Sequence, residues 1–163
     1  MPGKREQNPA VPGFELKELI AQEEQLVFDR FGQNDALRLA EIMISISKEC
    51  GMAFGIEICL NGMVVFKYMP EGTGRLNDVW MEKKIQTVLL TGWSTMRVWA
   101  MHEMIGQKRA GSMLPNEDYV MCGGGFPIRV KGAGVIGAIA CSGPGDQNEH
   151  ELCTEALERF LKG

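Results

Sequence analysis

The sequence predicts a single α+β domain in which helices pack on an antiparallel sheet. At 163 residues the chain is long enough to bury one hydrophobic core. Residues 52–68 and 126–141 are predicted to form two β-hairpins, because apolar residues alternate before the turns at 61–62 and 132–134 and further apolar runs follow these turns. The segments around these hairpins have apolar residues at helical spacing. Strands joined by short turns pair antiparallel, which gives the α+β class.

The composition excludes several classes of protein. The formal net charge is −4, so no domain-wide basic field exists to neutralise phosphates, and we expect no nucleic-acid partner. No apolar run is long enough to span a bilayer, and we expect no membrane partner. Residues 1–13 are polar and lack the apolar core of a secretory signal, so we predict a flexible N-terminal arm before one domain at 14–163. The five cysteines include no CxxC pair, which predicts reduced thiols and a cytoplasmic protein.

The first part of the predicted domain contains two helices and a hairpin. Apolar spacing predicts a short helix at 14–21, then a short strand or an extended link at 25–31. The clearest helix covers 35–50, where Asn34 is a suitable N-cap and Gly51 a C-terminal stop. In the hairpin that follows, Asn-Gly at 61–62 tolerates the positive φ angles of a tight turn.

The second part contains two more helices, a second hairpin and a closing helix. The predicted helices cover 75–90, 93–105 and 147–161, the strands 126–131 and 135–141, and a polar loop 106–118. Ser94 or Thr95 is expected to cap the helix at 93–105. The second strand consists of small and β-branched residues, which is typical of a strand buried on both faces.

The glycine-rich stretch at 122–128, CGGGFPI, resembles the haem-degrading-domain family, also called GlcG-like, and is most similar to its uncharacterised cytoplasmic branch. Further matching stretches are VKG at 130–132, GVIG at 134–137, Ser-Gly at 142–143, Glu-His at 149–150 and WMEKKIQTV at 80–88. The similarity covers most of the chain between residues 26 and 157. It implies a profilin-like fold with a five-stranded antiparallel sheet, symmetric multimers, and a link to haem or other tetrapyrroles in some relatives.

One substitution within the signature bears on haem. The branch usually has histidine before the glycines, and this chain has Cys122 there. The most obvious imidazole ligand for haem iron is therefore missing, although a cysteine thiolate can also ligate haem iron.

The glycine triplet is the first candidate part of a binding site. Gly123, Gly124 and Gly125 precede a strand, whereas a phosphate-binding loop follows a strand and begins a helix. The triplet therefore provides either close backbone approach and positive φ, or an anion-binding nest of exposed N–H groups. Phe126 and Pro127 continue the same wall.

Two side chains near the triplet have reactive or ligating groups. Cys122 is either a reactive thiol or soft metal ligand beside a cation, or a buried and inert cysteine. His150 is either a general base, a metal ligand or a pH-sensitive contact, or a packing residue near a helix start. Two histidines without a spaced carboxylate–histidine cluster do not predict a metal site.

One helix contributes a further set of candidate residues. Trp80, Lys83, Lys84 and Thr87 share a face of the predicted helix. That face is either the floor of a pocket for a flat, anionic ligand or a tryptophan anchor in the core that lysines cover.

These observations lead to three hypotheses. The first is a non-enzymatic, cytoplasmic binding or assembly protein that forms a symmetric homo-oligomer. Its pocket would be formed by residues 122–127, the helix of Trp80, and His150. The second is the binding or degradation of haem or another tetrapyrrole, haem being the one cofactor suggested. The third is thiol-based redox or metal sensing by Cys122.

Overall fold

The computed structural model describes residues 10–105 and 114–163, which form an antiparallel sheet with helices on both faces. The strands are β1 (Ala10–Val11), β2 (Phe14–Glu15), β3 (Gly55–Leu60), β4 (Met63–Tyr68), β5 (Gly125–Val130) and β6 (Gly134–Ser142). The helices are α1 (Leu16–Gln25), α2 (Gln33–Cys50), α3 (Arg75–Thr91), α4 (Thr95–Ile105) and α5 (Asp146–Lys162). The main sheet has the order β4-β3-β6-β5, and β1 pairs only with β2. The predicted α+β class is confirmed.

Apolar side chains fill the space on each face of the sheet. α2 and α5 cover one face, and their core includes Phe54, Ile56, Phe126 and Leu157. α3 covers the other face, where Met81, Ile85 and Val88 pack against Cys59, Ala138 and Ala140. Residues 137–142 of β6 are buried, as the sequence predicted for a central strand. β6 thus lies beside β5 in the sheet, and the sheet lies between the two helical layers.

The sheet has four strands in the described part of the chain, where the resemblance implied five. Of the short strand or extended link predicted at 25–31, the structure has the link, which contributes a single parallel bridge between Phe28 and Val130. Phe28 N–H donates to Arg129 O, and Lys131 N–H donates to Phe28 O, both at 2.9 Å. The link joins α1, which ends at Gln25, to α2, which begins at Gln33.

The local signals placed most helix ends correctly. Gly51 and Gly92 end α2 and α3 in the left-handed conformation, with φ of 67° and 73°. Ser94 precedes α4, and its hydroxyl accepts the N–H of Arg97 at 3.1 Å. The predicted cap at Asn34 is wrong, because α2 already includes this residue and the Asp35 carboxylate accepts the Gly32 N–H at 2.9 Å.

The first hairpin turn is confirmed, because Asn61 and Gly62 have φ of 50° and 80°. The predicted arm at 1–13 and the loop at 106–118 lie partly outside the described residues. Of the arm, Val11 is 7% exposed and packs against α1 and α4. Within 10–105 and 114–163, no helix is both long and apolar enough to cross a membrane.

Candidate functional site

A cavity of about 450 Å³ lies between α3, Cys122 and residues 142–149 at the end of β6 and the start of α5. We call it the α3 cavity, and the side chains that line it are Leu76, Asn77, Trp80, Lys84, Cys122, Ser142, Asp146 and Glu149. Residues 76, 80 and 84 are four apart, so they form one row along α3. The neighbouring stripe of Met81, Ile85 and Val88 attaches the helix to the sheet. The volume of the α3 cavity falls in the range of small-molecule sites.

The floor of the α3 cavity is a buried ion pair. Lys84 Nζ lies 3.0 Å from Glu149 Oε2, and the two side chains are 2% and 8% exposed. Lys84 Nζ also donates to Cys141 O at 2.7 Å, and Glu149 Oε1 accepts the Gly143 N–H at 2.7 Å. These charge-assisted bonds join α3, β6 and α5 at one point.

The protonation of this pair follows from burial and the neighbouring charges. Burial raises the pKa of Glu149, and Lys84 and the Gly143 N–H oppose this rise. Burial alone would lower the pKa of Lys84, but the neighbouring Cys122, Glu149 and Cys141 together outweigh it, and the pKa is raised. Lys84 therefore remains a cation near neutral pH and is not an amine nucleophile.

The mouth of the α3 cavity is apolar. Leu76 is 69% exposed and Trp80 is 40% exposed, although both are large hydrophobic residues. Beside them, the Asn77 amide donates to the Ser142 hydroxyl at 3.1 Å. The lining combines one ammonium, of Lys84, with two carboxylates, of Asp146 and Glu149. Its formal charge is therefore negative.

Cys122 lines the cavity as a protonated thiol. Burial raises the pKa of Cys122 to about 12, and the nearby Lys84 only partly opposes this effect. At neutral pH the thiolate fraction is negligible, so the group is neither an activated nucleophile nor a ready metal ligand.

The glycine triplet provides close backbone contact. A Cβ on Gly123 would lie 2.6 Å from the Asp146 carbonyl carbon, and one on Gly124 would lie 2.6 Å from Cys141 O. Gly124 also has a φ of 99°. The N–H groups of Gly123 and Gly125 donate to Asp146 Oδ1 and Thr95 Oγ1 at 3.0 and 2.9 Å. These two donors are bonded within the protein and are therefore not available to bind an anion.

Lys83 and Thr87 do not line the α3 cavity. Lys83 Nζ donates to Glu117 O, on the other side of the helix. The Thr87 hydroxyl is buried and accepts the Val120 N–H at 2.9 Å, which fixes the segment before Cys122. The four residues predicted to share one face of α3 therefore do not all belong to one site. Trp80 and Lys84 face the α3 cavity, while Lys83 points away from it.

His150 and Phe126 lie on the opposite face of the sheet from the α3 cavity, in the layer of α5. Phe126 and His150 are fully buried, with ring centroids 5.9 Å apart, and Pro127 is buried on the same strand. His150 Nε2 donates to Gln22 Oε1 at 2.6 Å, and its ring contacts Phe14. Burial lowers the pKa of His150 to about 4, so the ring is neutral near pH 7. In this structure it joins α5 to α1.

The sequence did not identify Glu149 as the partner of Lys84. It also did not identify Asn77, Ser142 and Asp146 as residues that line the cavity. The spacing of four residues from Trp80 favours Lys84 over Lys83, and this signal was present in the sequence. The contacts from β6 and α5 had no such signal, because they join residues 65 positions apart.

Comparison with known proteins gives the family. The sequence model described as "Haem degrading protein HbpS-like" matches residues 31–158. The chain belongs to the HbpS-like family. It is also 34% identical over 147 residues to a UPF0303 protein of Streptomyces coelicolor, across 90% of this chain and 93% of that protein. A UPF0303 protein of Brucella melitensis is 34% identical over 152 residues, across 90% and 87% of the two chains. The family expected from the CGGGFPI stretch is confirmed.

Solved structures share the fold of this chain. The crystal structure of Ybr137w protein superimposes with a TM-score of 0.81 at 22% identity, covering 91% of this chain and 90% of that one. That of HbpS gives 0.65 at 19% identity over 81% and 90%. The PduOC:Heme complex gives 0.64 at 16% identity over 78% and 93%. The predicted profilin-like fold of the family is thereby confirmed.

The residues around the α3 cavity do not fit a haem with a protein ligand on its iron. Haem iron is ligated by histidine, thiolate, methionine or tyrosinate. Of these types, Cys122 alone lines the described cavity, and it holds its proton. Asp146 and Glu149 would also repel the carboxylates of a haem. Within the described residues, no group of three or more His, Cys, Asp or Glu side chains could hold a metal ion.

Proposed function

We propose that this HbpS-like chain is a non-enzymatic binding protein that takes a small ligand in the α3 cavity and assembles as a symmetric homo-oligomer. The observation that carries the proposal is the buried Lys84–Glu149 pair beneath the exposed Trp80. A fixed polar floor and an apolar mouth are what small-molecule sites use for orientation and affinity.

The charge of the lining favours a neutral or cationic ligand with a flat, apolar body. One of the two sequence-based interpretations of this helix face was a pocket for an anionic ligand, and it relied on both Lys83 and Lys84. With Lys83 turned away, the cavity has two carboxylates and one ammonium. A planar cation would also be attracted to the face of Trp80.

The proposal of binding without catalysis follows from the protonation of the two reactive side chains. Lys84 is held as an ammonium by its acidic neighbours, and Cys122 is held as a thiol by burial. Neither group is a base or a nucleophile near pH 7. We also propose a reducing compartment such as the cytoplasm, because all five cysteines are free thiols, including Cys141 and Cys153 with sulfurs 3.8 Å apart.

Binding of the planar cation proflavine tests the ligand class. We expect saturable binding to the unchanged chain, followed by dye fluorescence, and affinity at least about tenfold weaker for Trp80→Ala because stacking and cation–π attraction are lost. Leu90→Ala is the matched control, since Leu90 is also exposed on α3 but does not line the cavity. Equal losses in both variants, or stronger binding of the anionic dye 1-anilinonaphthalene-8-sulfonate, would contradict the proposed cavity.

Haem binding is the second candidate function, and membership of the HbpS-like family favours it. A haem titration separates the two candidates, because ligation of iron by a side chain shifts the Soret band. With Cys122 protonated, we expect no such shift from the α3 cavity. A shift that is lost in Cys122→Ala and kept in Cys50→Ala, where the cysteine is exposed, would assign haem to the α3 cavity.

The open edge of the sheet supports the assembly half of the proposal. β4 is an edge strand, and its Met63, Val64 and Tyr68 are 52%, 51% and 42% exposed. Edge strands with exposed apolar residues pair with other chains unless charges protect them. We expect light scattering to show an oligomer, and we expect the Val64→Lys variant to dissociate it. The control variant Leu37→Lys should leave the oligomer intact, since Leu37 lies on α2 and is equally exposed. A monomer at micromolar concentration would refute the assembly.

A further inference from the structure

We infer that a second cavity, between α1, α4 and β5, binds an oxyanion, either a carboxylate or a phosphate, through Arg97 and Arg129. This arginine cavity has a volume of about 360 Å³ and is lined by Glu23, Glu24, Val27, Arg97 and Arg129. Its lining shares no residue with the α3 cavity. It is therefore a separate site from the one proposed above.

One buried polar group beside the arginine cavity lacks a hydrogen-bond partner in the described part of the chain. The neighbouring Glu23 is 3% exposed and is bonded by the Ser94 backbone, with longer contacts to Arg97 Nη1 at 3.5 Å and Ser94 Oγ at 3.4 Å. The Nε of Arg97 is buried and has no hydrogen-bond partner within the described residues. Buried polar groups are nearly always satisfied in folded proteins, so such a group next to a cavity indicates a polar occupant.

The two guanidinium groups are held in place before any ligand arrives. Arg97 stacks on the Trp93 ring, with Cζ 4.5 Å from the ring centroid. Arg129 donates through Nη2 to Gly92 O at 2.8 Å. Both arginines therefore contact the link between α3 and α4. A planar, fixed fork of N–H donors suits the oxygens of carboxylates and phosphates.

Glu23 competes with an oxyanion for the same arginines. The groups that face it are Arg97 and Ser94 from α4 and Arg129 from β5, with Glu24 beside it on α1. Burial raises the pKa of Glu23 to about 7, while Arg97, Ser94 and Arg129 oppose the rise. Below pH 7 the Glu23 carboxyl is neutral, so it no longer offsets the guanidinium charges and can donate its proton to a ligand oxygen. Above pH 7 the carboxylate repels the ligand.

Isothermal titration calorimetry with acetate and, separately, inorganic phosphate tests this inference on the intact chain, at an ionic strength fixed with chloride. We expect saturable binding of at least one of the two, which identifies the class of oxyanion. Arg129→Gln should weaken it about tenfold or more, because a charge-assisted bond is lost. Lys131→Gln should leave it unchanged, since Lys131 is exposed and pairs with Asp29. This control removes the same charge two residues away.

Glu23→Gln makes the test independent of folding defects, because a gain is expected. The neutral amide cannot repel an anion, so the Glu23→Gln variant should bind acetate more tightly than the unchanged chain at about pH 8. Its affinity should change little between about pH 6 and pH 8, whereas the affinity of the unchanged chain should fall as the pH rises. The inference is overturned if neither anion binds saturably, if Arg129→Gln binds as well as Lys131→Gln, or if Glu23→Gln and the unchanged chain have the same affinity at about pH 8.

Discussion

Gly123→Ser is expected to lower the free energy of unfolding by about 3 kcal/mol or more, because an added Cβ would overlap main-chain atoms. That Cβ would lie 2.6 Å from the carbonyl carbon and 2.8 Å from the Cα of Asp146, and the carbonyl oxygen is closer still. These atoms belong to the first residue of α5, so relief requires the helix to move away from the sheet. Urea denaturation followed by circular dichroism measures the loss.

Gly74→Ser is the matched control for this prediction. Gly74 precedes α3 in an extended conformation, with φ of −146°, and a Cβ there would meet nothing within 4 Å. Serine is a preferred N-cap residue, so we expect no loss of stability and at most a small gain. Similar losses for Gly123→Ser and Gly74→Ser would show that the glycine triplet is not needed for close approach to α5.

Lys84→Met is expected to cost about 3–5 kcal/mol of stability at neutral pH, because it leaves the Glu149 carboxylate buried without its cation. Glu149 keeps the N–H of Gly143 as a partner but loses the ammonium at 3.0 Å. The double variant Lys84→Met with Glu149→Gln should recover part of the loss, since no buried charge remains. The difference between the single and double variants, measured by urea denaturation, gives the coupling of the pair.

The pH dependence of the Lys84→Met defect has a definite sign. Burial raises the pKa of Glu149 in the folded chain above its usual value of 4.5, and removing Lys84 takes away a group that opposes this rise. A raised carboxyl pKa contributes stability below the unfolded pKa and loses it as the pH rises. The defect should therefore be small near pH 4.5 and grow toward pH 8. A defect of constant size over this interval would mean that Lys84 does not neutralise Glu149.

Local sequence signals were sufficient for most of the fold. Helix ends at Gly51 and Gly92, the turn at Asn61-Gly62 and the buried strand β6 depend on neighbours within a few residues, and the structure has all of them. The choice between a short strand and an extended link at 25–31 was a different case, because it depended on pairing with the distant Val130. Nothing in a short window fixes such a pairing.

For the candidate site, the sequence identified the stretch of Cys122 and the helix of Trp80, and both line the α3 cavity. It placed His150 beside them, although the next residue toward the N-terminus, Glu149, is the one that faces the cavity. Successive residues of a helix are rotated by about 100°, so one position decides which side of α5 a group faces. Only the docking of α5 against β6 makes that choice.

The sequence by itself thus determined the α+β class, because periodicity and turn chemistry are local properties. The resemblance carried by the CGGGFPI stretch led to the HbpS-like family. The tertiary structure alone decided which charged groups share a cavity. Lys84 meets Glu149 across 65 residues, and Arg97 meets Glu23 across 74. It also decided the protonation of Cys122, His150 and Glu23, because burial, which sets these pKa values, exists only once the layers have packed.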